Sequence, residues 1–164
     1  MTTKILVADD SATMRRVLEM TFAGEDAEVR VVSSGDEAID VAAQFVPDLV
    51  LADASMESPD GYQLSHTLKR SAETSQPAVI LLSSTHAPYD EVRGRNCGVD
   101  DHISKPFDTQ DLIDKTSTVL QSPRKLPSDL LPAQTAATDV EAPVAQALDA
   151  ESQSSTGTLP PNAV

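Results

Sequence analysis

Residues 47–53 have the sequence Pro47-Asp48-Leu49-Val50-Leu51-Ala52-Asp53, a short apolar run that ends in a carboxylate. Apolar runs of this length are typical of strands that are buried on both faces, as in parallel sheets. Residues 54–61 are polar and rich in turn formers, so we expect the strand to end at Asp53. Ligands of open α/β sheets bind just beyond such strand ends. Asp53 is therefore a candidate site residue, although a lone carboxylate there is more often a helix cap or a loop residue.

The composition indicates one acidic globular domain with some chain to spare. The 164 residues carry a formal net charge of −14, with 40% hydrophobic but only 3% aromatic side chains. A strongly acidic surface repels nucleic acid and anionic membranes, so we expect neither as a direct partner. Cys97 is the only cysteine, which excludes an intrachain disulfide and is consistent with a reducing compartment. Because we find no secretion signal and no membrane-spanning stretch, we expect a cytoplasmic location.

Apolar periodicity predicts five strands that alternate with five helices. The predicted strands are 4–8, 28–32, 48–52, 77–82 and 101–104. The first predicted helix lies at 11–24, and the second includes residues 38–43 and stops before Pro47. The other three lie at 61–70, 88–96 and 108–120. Strict alternation implies a parallel sheet that is covered by helices on both faces, with right-handed crossovers. The helix at 88–96 is the weakest of the five, because Val92 is its only clear apolar position.

The character of the chain changes after Leu120. Residues 121–164 are rich in Pro, Ala, Ser, Thr and Gln and have no sustained apolar period. Such segments cannot bury enough apolar surface to offset the entropy of ordering. We therefore expect residues 1–120 to form the folded domain and residues 121–164 to be a disordered acidic tail. With no second folded domain predicted, output would pass through the domain surface or the tail by protein–protein contact.

Polar side chains follow four of the predicted strands, and parallel pairing would bring them to one edge of the sheet. They are Asp9 and Asp10 after the first strand, Asp53 after the third, Ser83 after the fourth and Lys105 after the fifth. Three close carboxylates repel one another unless a cation neutralises them. Mg²⁺ suits such a site, since it binds carboxylate, water and phosphate oxygens. A carboxylate can also attack phosphorus to form an aspartyl phosphate, which Lys105 and the Ser83 hydroxyl would then contact.

Residues from about Lys4 to Leu120 resemble the receiver domain of two-component response regulators. The matching motifs are Asp9-Asp10-Ser11, Asp53 with Asp60-Gly61 downstream, Ser83 after an aliphatic strand, and Lys105-Pro106-Phe107. Each motif alone occurs by chance, but all of them in order, each at a strand end, make a specific match. The resemblance implies a flavodoxin-like (βα)5 fold with five parallel strands in the order 2-1-3-4-5, in a single-domain receiver with a tail.

The resemblance also implies what the acidic residues do. Asp53 would accept a phosphoryl group from a phosphohistidine on a histidine kinase or a phosphotransfer protein. Asp10, Asp53 and the backbone carbonyl of Ser55 would hold Mg²⁺, and Asp9 would act through water. The protein would be a signalling switch that acts on a downstream protein target, in chemotaxis, motility or a phosphorelay. It would not be an enzyme beyond weak self-phosphorylation and self-dephosphorylation.

By the same resemblance, Lys105 would contact the phosphoryl group and Ser83 would be the switch hydroxyl that moves toward it. The sequence departs from the family pattern at two positions. Met56 is followed by Glu57 where receivers usually have a proline soon after, which adds a carboxylate near the site. His102 stands three residues before Lys105, where receivers often have a switch aromatic, and its charge varies near neutral pH. An exposed edge histidine without a switch role is the alternative for His102.

Other interpretations use the same residues. A pseudo-receiver would have this fold but bind partners independently of phosphate, and it would be expected to lack an acidic residue or the lysine, none of which is lost here. A phosphatase or phosphomutase would resemble a pattern with a second Asp two positions after the nucleophile, where this chain has Ser55. A dinucleotide or flavin site would need a glycine-rich first turn, and residues 9–12 contain no glycine. The phosphorylated receiver accounts for the most residues.

Overall fold

The computed structural model describes residues 2–130, which form a five-stranded sheet and five α-helices. The strands are β1 (Thr3–Ala8), β2 (Ala27–Val32), β3 (Leu49–Asp53), β4 (Ala78–Ser83) and β5 (Asp101–Ser104). The helices are α1 (Ala12–Phe22), α2 (Gly35–Phe45), α3 (Gly61–Arg70), α4 (Glu91–Asn96) and α5 (Thr109–Gln121). None of the helices in this part of the chain is long and apolar enough to cross a bilayer.

All neighbouring strands pair in parallel, in the order β2-β1-β3-β4-β5, which confirms the predicted fold. β3 lies in the centre, and each of its five residues is buried. Alternate residues of a strand point to opposite faces, so the core has two layers. Leu6 and Val50 pack with α2 and α3 on one face, whereas Val7 and Leu51 pack with α1 and α5 on the other.

Side-chain caps set where the helices begin. Ser11 accepts a hydrogen bond from the Met14 N–H at the start of α1, as its position in the sequence predicts. Asp90 caps α4 in the same way, because its Oδ1 accepts from the Arg93 N–H at 2.9 Å. The sequence places the start of this helix at Pro88, so α4 is shorter than predicted and has only six residues.

The C-terminal boundary of the domain differs from the prediction. α5 ends at Gln121, and residues 122–130 continue along the domain surface within the same folded unit, which ends at Leu130 rather than Leu120. The Lys125 N–H donates to Asp100 at 2.7 Å, and Pro127 is buried. Apolar periodicity cannot detect a segment that is held by backbone hydrogen bonds. The remainder of the predicted tail, residues 131–164, lies outside the described residues.

Candidate functional site

Three carboxylates gather at the carboxyl ends of β1 and β3. Asp9 follows β1, Asp10 comes next, and Asp53 is the last residue of β3. Because these strands pair in parallel with Ala8 opposite Ala52, they end at the same edge of the sheet. One carboxylate oxygen from each aspartate lies within 4.8 Å of the other two. Asp9 and Asp53 are buried and Asp10 is exposed, so the cluster opens to solvent on one side.

Among residues 2–130, Lys105 is the one cation that pairs with the carboxylate groups of this cluster. Its Nζ lies 3.1 Å from Asp9 Oδ2 and 3.6 Å from Asp53 Oδ1, and its side chain is half-buried. One ammonium leaves three carboxylates with an excess of negative charge, which a divalent cation would neutralise. Carboxylate oxygens are the ligands that Mg²⁺ prefers, so the donor set fits this ion.

Asp9 is held by bonds to both its side chain and its backbone. The Ser11 N–H donates to Asp9 Oδ1 at 2.8 Å, and Arg15 Nη1 donates to the Asp9 carbonyl at 2.7 Å. Burial raises the pKa of the Asp9 carboxyl, the nearby Asp53 charge adds to the rise, and the contacts with Ser11 and Lys105 oppose it. Arg15 could not be predicted as a site residue from the sequence, because its helical spacing places it on the polar face of α1.

The two oxygens of Asp53 have different surroundings. Ser55 donates to Oδ1 from both its backbone N–H and its hydroxyl, each at 3.0 Å. Within residues 2–130, no hydrogen-bond donor reaches Oδ2. The Ser55 contacts therefore fix the carboxylate while one oxygen stays available. The role of the Ser55 carbonyl as a metal ligand stays a prediction.

Ser83 and His102 lie on neighbouring strands. Ser83 is buried at the end of β4, and its hydroxyl donates to the Ile103 carbonyl at 3.3 Å. The ring of His102 stacks on Tyr89, with 3.8 Å between ring centroids and an angle of 3° between the planes. Burial raises the pKa of Tyr89 to about 12, so its phenol stays neutral at physiological pH. The predicted switch histidine thus has an aromatic partner that the sequence analysis did not identify.

Gly94 leaves the space that the Tyr89 ring occupies. A Cβ at Gly94 of α4 would overlap the Tyr89 hydroxyl, so only glycine lets the ring lie against this helix. Tyr62 of α3 also stacks with Tyr89, with 6.0 Å between ring centroids. In the sequence, the only sign of this packing is Gly94, five residues after Tyr89. A single glycine in a weak helix is compatible with many packing arrangements, so it does not predict this one.

The start of α3 is tied to α4 close to the candidate site. Asp60, which caps α3, forms an ion pair with Arg93 of α4 at 2.7 Å. The Arg93 guanidinium also lies 4.5 Å from the centre of the Tyr62 ring, and the Tyr62 hydroxyl accepts from the Asp90 N–H at 2.7 Å. These contacts connect the loop after Asp53 with α4.

Comparison with known proteins assigns this chain to a family. A family model described as the response regulator receiver domain matches residues 5–117, which include nearly the whole sheet and the carboxylate cluster. This chain belongs to the response regulator receiver domain family. The family resemblance predicted from the sequence is therefore confirmed, and the receiver family is one of signalling domains.

Relatives of this receiver differ in length. Protein PilG of Pseudomonas aeruginosa is 32% identical over 110 residues, which cover 67% of this chain and 82% of PilG. A probable transcriptional regulator, ycf27, of Porphyra purpurea is 32% identical over 127 residues, which cover 77% of this chain and 51% of that protein. The receiver chain thus spans about half the length of the ycf27 relatives that it matches.

A solved structure shows the same fold at lower identity. It is the receiver domain of a sensor histidine kinase from Pseudomonas aeruginosa, crystallised with a magnesium ion coordinated in the active site cleft. The TM-score is 0.66 at 21% identity, and the alignment covers 74% of this chain and 100% of that one. At this level of identity the likeness concerns the fold alone.

Proposed function

We propose that this receiver is a phosphorylation-dependent switch, in which Asp53 accepts a phosphoryl group from a histidine kinase or a phosphotransfer protein. The observation that carries the proposal is the position of Asp53 at the end of the central strand, beside two more carboxylates and 3.6 Å from the Lys105 ammonium. A site built only to stabilise the fold would not concentrate three carboxylates at one edge of the sheet. Uptake of one phosphoryl group from a small phosphodonor, abolished by a chelator, is the test.

The contacts of Asp53 support a defined chemistry for the transfer. An oxygen of the carboxylate attacks phosphorus, the P–N bond of the phosphohistidine breaks, and the departing imidazole keeps the electron pair and takes up a proton. Ser55 holds Oδ1 during this step, so Oδ2 is the oxygen available for attack. Lys105 is near enough to pair with the new phosphoryl oxygens by charge-assisted hydrogen bonds.

The same cluster would hold Mg²⁺. Asp10, Asp53 and the backbone carbonyl of Ser55 would coordinate the ion, and Asp9 would act through water. Asp9 is already bonded to Ser11 and Lys105, whereas Asp10 is exposed, which supports Asp10 as a direct ligand. When bound, Mg²⁺ would neutralise part of the negative charge of the phosphoryl group.

Asp10→Asn is expected to abolish measurable Mg²⁺ affinity without unfolding the protein. Removing one charge from the crowded cluster relieves repulsion, so the melting temperature without metal should hold or rise. Asp40→Asn is the matched control, because it removes the same charge from an exposed position on α2. Titration with Mg²⁺ and thermal melting of both variants check the prediction. A clear drop in the metal-free melting temperature of Asp10→Asn alone would mean that Asp10 is structural.

We further propose that phosphorylation acts through Ser83 on the face formed by α4, β5 and α5. Ser83 now donates to the Ile103 carbonyl, and a phosphoryl group on Asp53 would offer its hydroxyl a charged acceptor instead. Movement of Ser83 toward Asp53 would leave space that the ring of His102 can fill. The His102 ring would then lose its stacking contact with Tyr89. The changed face would then bind the downstream protein target.

Ser83→Ala is expected to accept phosphate but to lose the response of residues 88–120. A ligand moves an equilibrium only through contacts that differ between the two states, and the bond made by Ser83 is the one we can name. Amide chemical shifts with and without a phosphoryl mimic measure this response. Ser84→Ala is the control, because Ser84 follows directly but its hydroxyl, among residues 2–130, accepts a hydrogen bond only from the Ala87 N–H. Equal responses of Ser83→Ala and the unmodified protein would show that another residue carries the coupling.

A further inference from the structure

Residues 122–130, which we call the C-terminal clamp, cross from the end of α5 to α3 and α4. One of their links is to Lys69 of α3, a lysine whose side chain is fully buried. The Lys69 ammonium lies 2.6 Å from Asp100 Oδ2 and donates to the backbone carbonyl of Lys125 at 2.7 Å. Burial lowers the pKa of Lys69, and the Asp100 charge opposes this effect. A buried ammonium needs such partners, so the clamp carbonyl contributes to holding this charge in place.

Asp100 joins the clamp to the sheet. Its Oδ1 accepts from the Lys125 N–H at 2.7 Å, and its Oδ2 accepts from the Val79 N–H at 2.8 Å. Asp100 directly precedes β5, and Val79 lies in β4. One buried ion pair thus connects α3, the start of β5, β4 and the clamp, and the connection uses both backbone groups of Lys125.

The far end of the clamp reaches the C-terminal end of α4. Gly98, just after α4, has φ +76°, and a Cβ there would lie 2.7 Å from the Pro127 nitrogen. Ser128 donates to the side chain of Asn96, the last residue of α4, at 2.9 Å. Asp129 pairs with Arg70 and with His66 on α3. Because these contacts bridge two helices, the clamp binds the end of α4 to α3.

α4 itself is short and mostly exposed, and its C-cap residue Cys97 also accepts a hydrogen bond from Ser65 of α3 at 2.9 Å. The helix has six residues, of which only Gly94 is buried, and its apolar Val92 is 63% exposed. Its first turn is anchored through Asp90 and Arg93 to α3. A surface pocket of about 260 Å³ lies beside the helix, lined by Tyr89, Glu91, Arg95, Val99 and Lys125. Because the helix is short and buries only one residue, it depends on the attachments at its two ends.

We propose that the C-terminal clamp fixes the end of α4 and restrains movement of this helix. Release of the clamp loosens α4 but leaves the carboxylate cluster intact, because Asp9, Asp10, Asp53 and Lys105 contact none of residues 122–130. Any partner that binds the released clamp in preference to the docked one will loosen α4, and by linkage a shift of α4 will weaken the clamp. This inference stands without phosphorylation, since it concerns only how α4 is held.

A pair of substitutions at one position tests the clamp in the full chain. Lys125→Pro removes the N–H that donates to Asp100, whereas Lys125→Ala keeps both backbone groups and loses only an exposed side chain. Amide hydrogen exchange of residues 91–97 is expected to be about tenfold faster in Lys125→Pro and unchanged in Lys125→Ala. Mg²⁺ affinity should be the same in both variants. Equal exchange of α4 in the two variants would overturn the proposal.

A second measurement needs no substitution. In the unmodified chain, the Lys125 amide proton is expected to exchange much more slowly than in a free peptide, because it is bonded to Asp100. Exchange at the free-peptide rate would contradict the proposal even if Lys125→Pro failed to fold.

Shortening the chain after Leu130 should leave the amide exchange of α4 unchanged, whereas shortening it after Gln121 should accelerate it. The reverse result would place the restraint outside residues 122–130.

Discussion

Asp53→Asn is expected to abolish phosphoryl uptake completely, the largest functional effect that we predict. Asparagine keeps the size of the side chain but offers no carboxylate oxygen to attack phosphorus. The fold should persist, because Ser55 can still donate to the remaining side-chain oxygen. Glu57→Gln is the matched control, since it makes the same chemical change four residues later, at an exposed position of the same loop.

Intact-mass measurement after incubation with a small phosphodonor and Mg²⁺ checks this result. Glu57→Gln should gain the mass of one phosphoryl group and Asp53→Asn should gain none. Equal phosphoryl uptake by Asp53→Asn would show that the acceptor is a residue other than Asp53. If the unmodified protein takes up no phosphate from either a small donor or a phosphohistidine protein, the pseudo-receiver becomes the better interpretation.

Lys69→Ala is expected to lower the free energy of unfolding by about 3–5 kcal/mol, the largest loss of stability that we predict. The substitution leaves the Asp100 carboxylate buried without its cation, and it removes the donor to the Lys125 carbonyl. Lys115→Ala is the matched control, because Lys115 also pairs with an aspartate, Asp101, at 3.2 Å but is 37% exposed. Exposed pairs contribute only about 0–1 kcal/mol, so this variant should be nearly as stable as the unmodified chain.

Urea denaturation of the two lysine variants measures the difference. The midpoint should fall strongly for Lys69→Ala and barely for Lys115→Ala. Phosphoryl uptake by Lys69→Ala below its melting temperature should be retained, because Lys69 makes no contact with the carboxylate cluster. Equal midpoints for the two variants would show that water reaches the Lys69 ammonium in the folded protein, so that its burial costs little.

The sheet and the edge where its site lies could be predicted from the sequence alone. The buried run that ends at Asp53 predicted a central strand, and the alternation of strands with helices predicted parallel pairing with both faces covered. Since parallel strands end together, Asp9, Asp10, Asp53 and Lys105 had to meet at one edge. This part was predictable because apolar periodicity and strand-end position are local properties of the chain.

The surroundings of that site and the end of the domain emerge only in the tertiary structure. The buried Lys69 pair joins residues 31 positions apart, and the docking of Lys125 on Lys69 spans 56. The stack of Tyr89 on His102 depends on the space left by Gly94, and Arg15 reaches the Asp9 carbonyl from a helix face that the pattern marks as polar. Such contacts are made by single side chains or backbone groups from distant segments, so neither apolar periodicity nor a sequence motif predicts them. They exist only because the packed sheet brings those segments together.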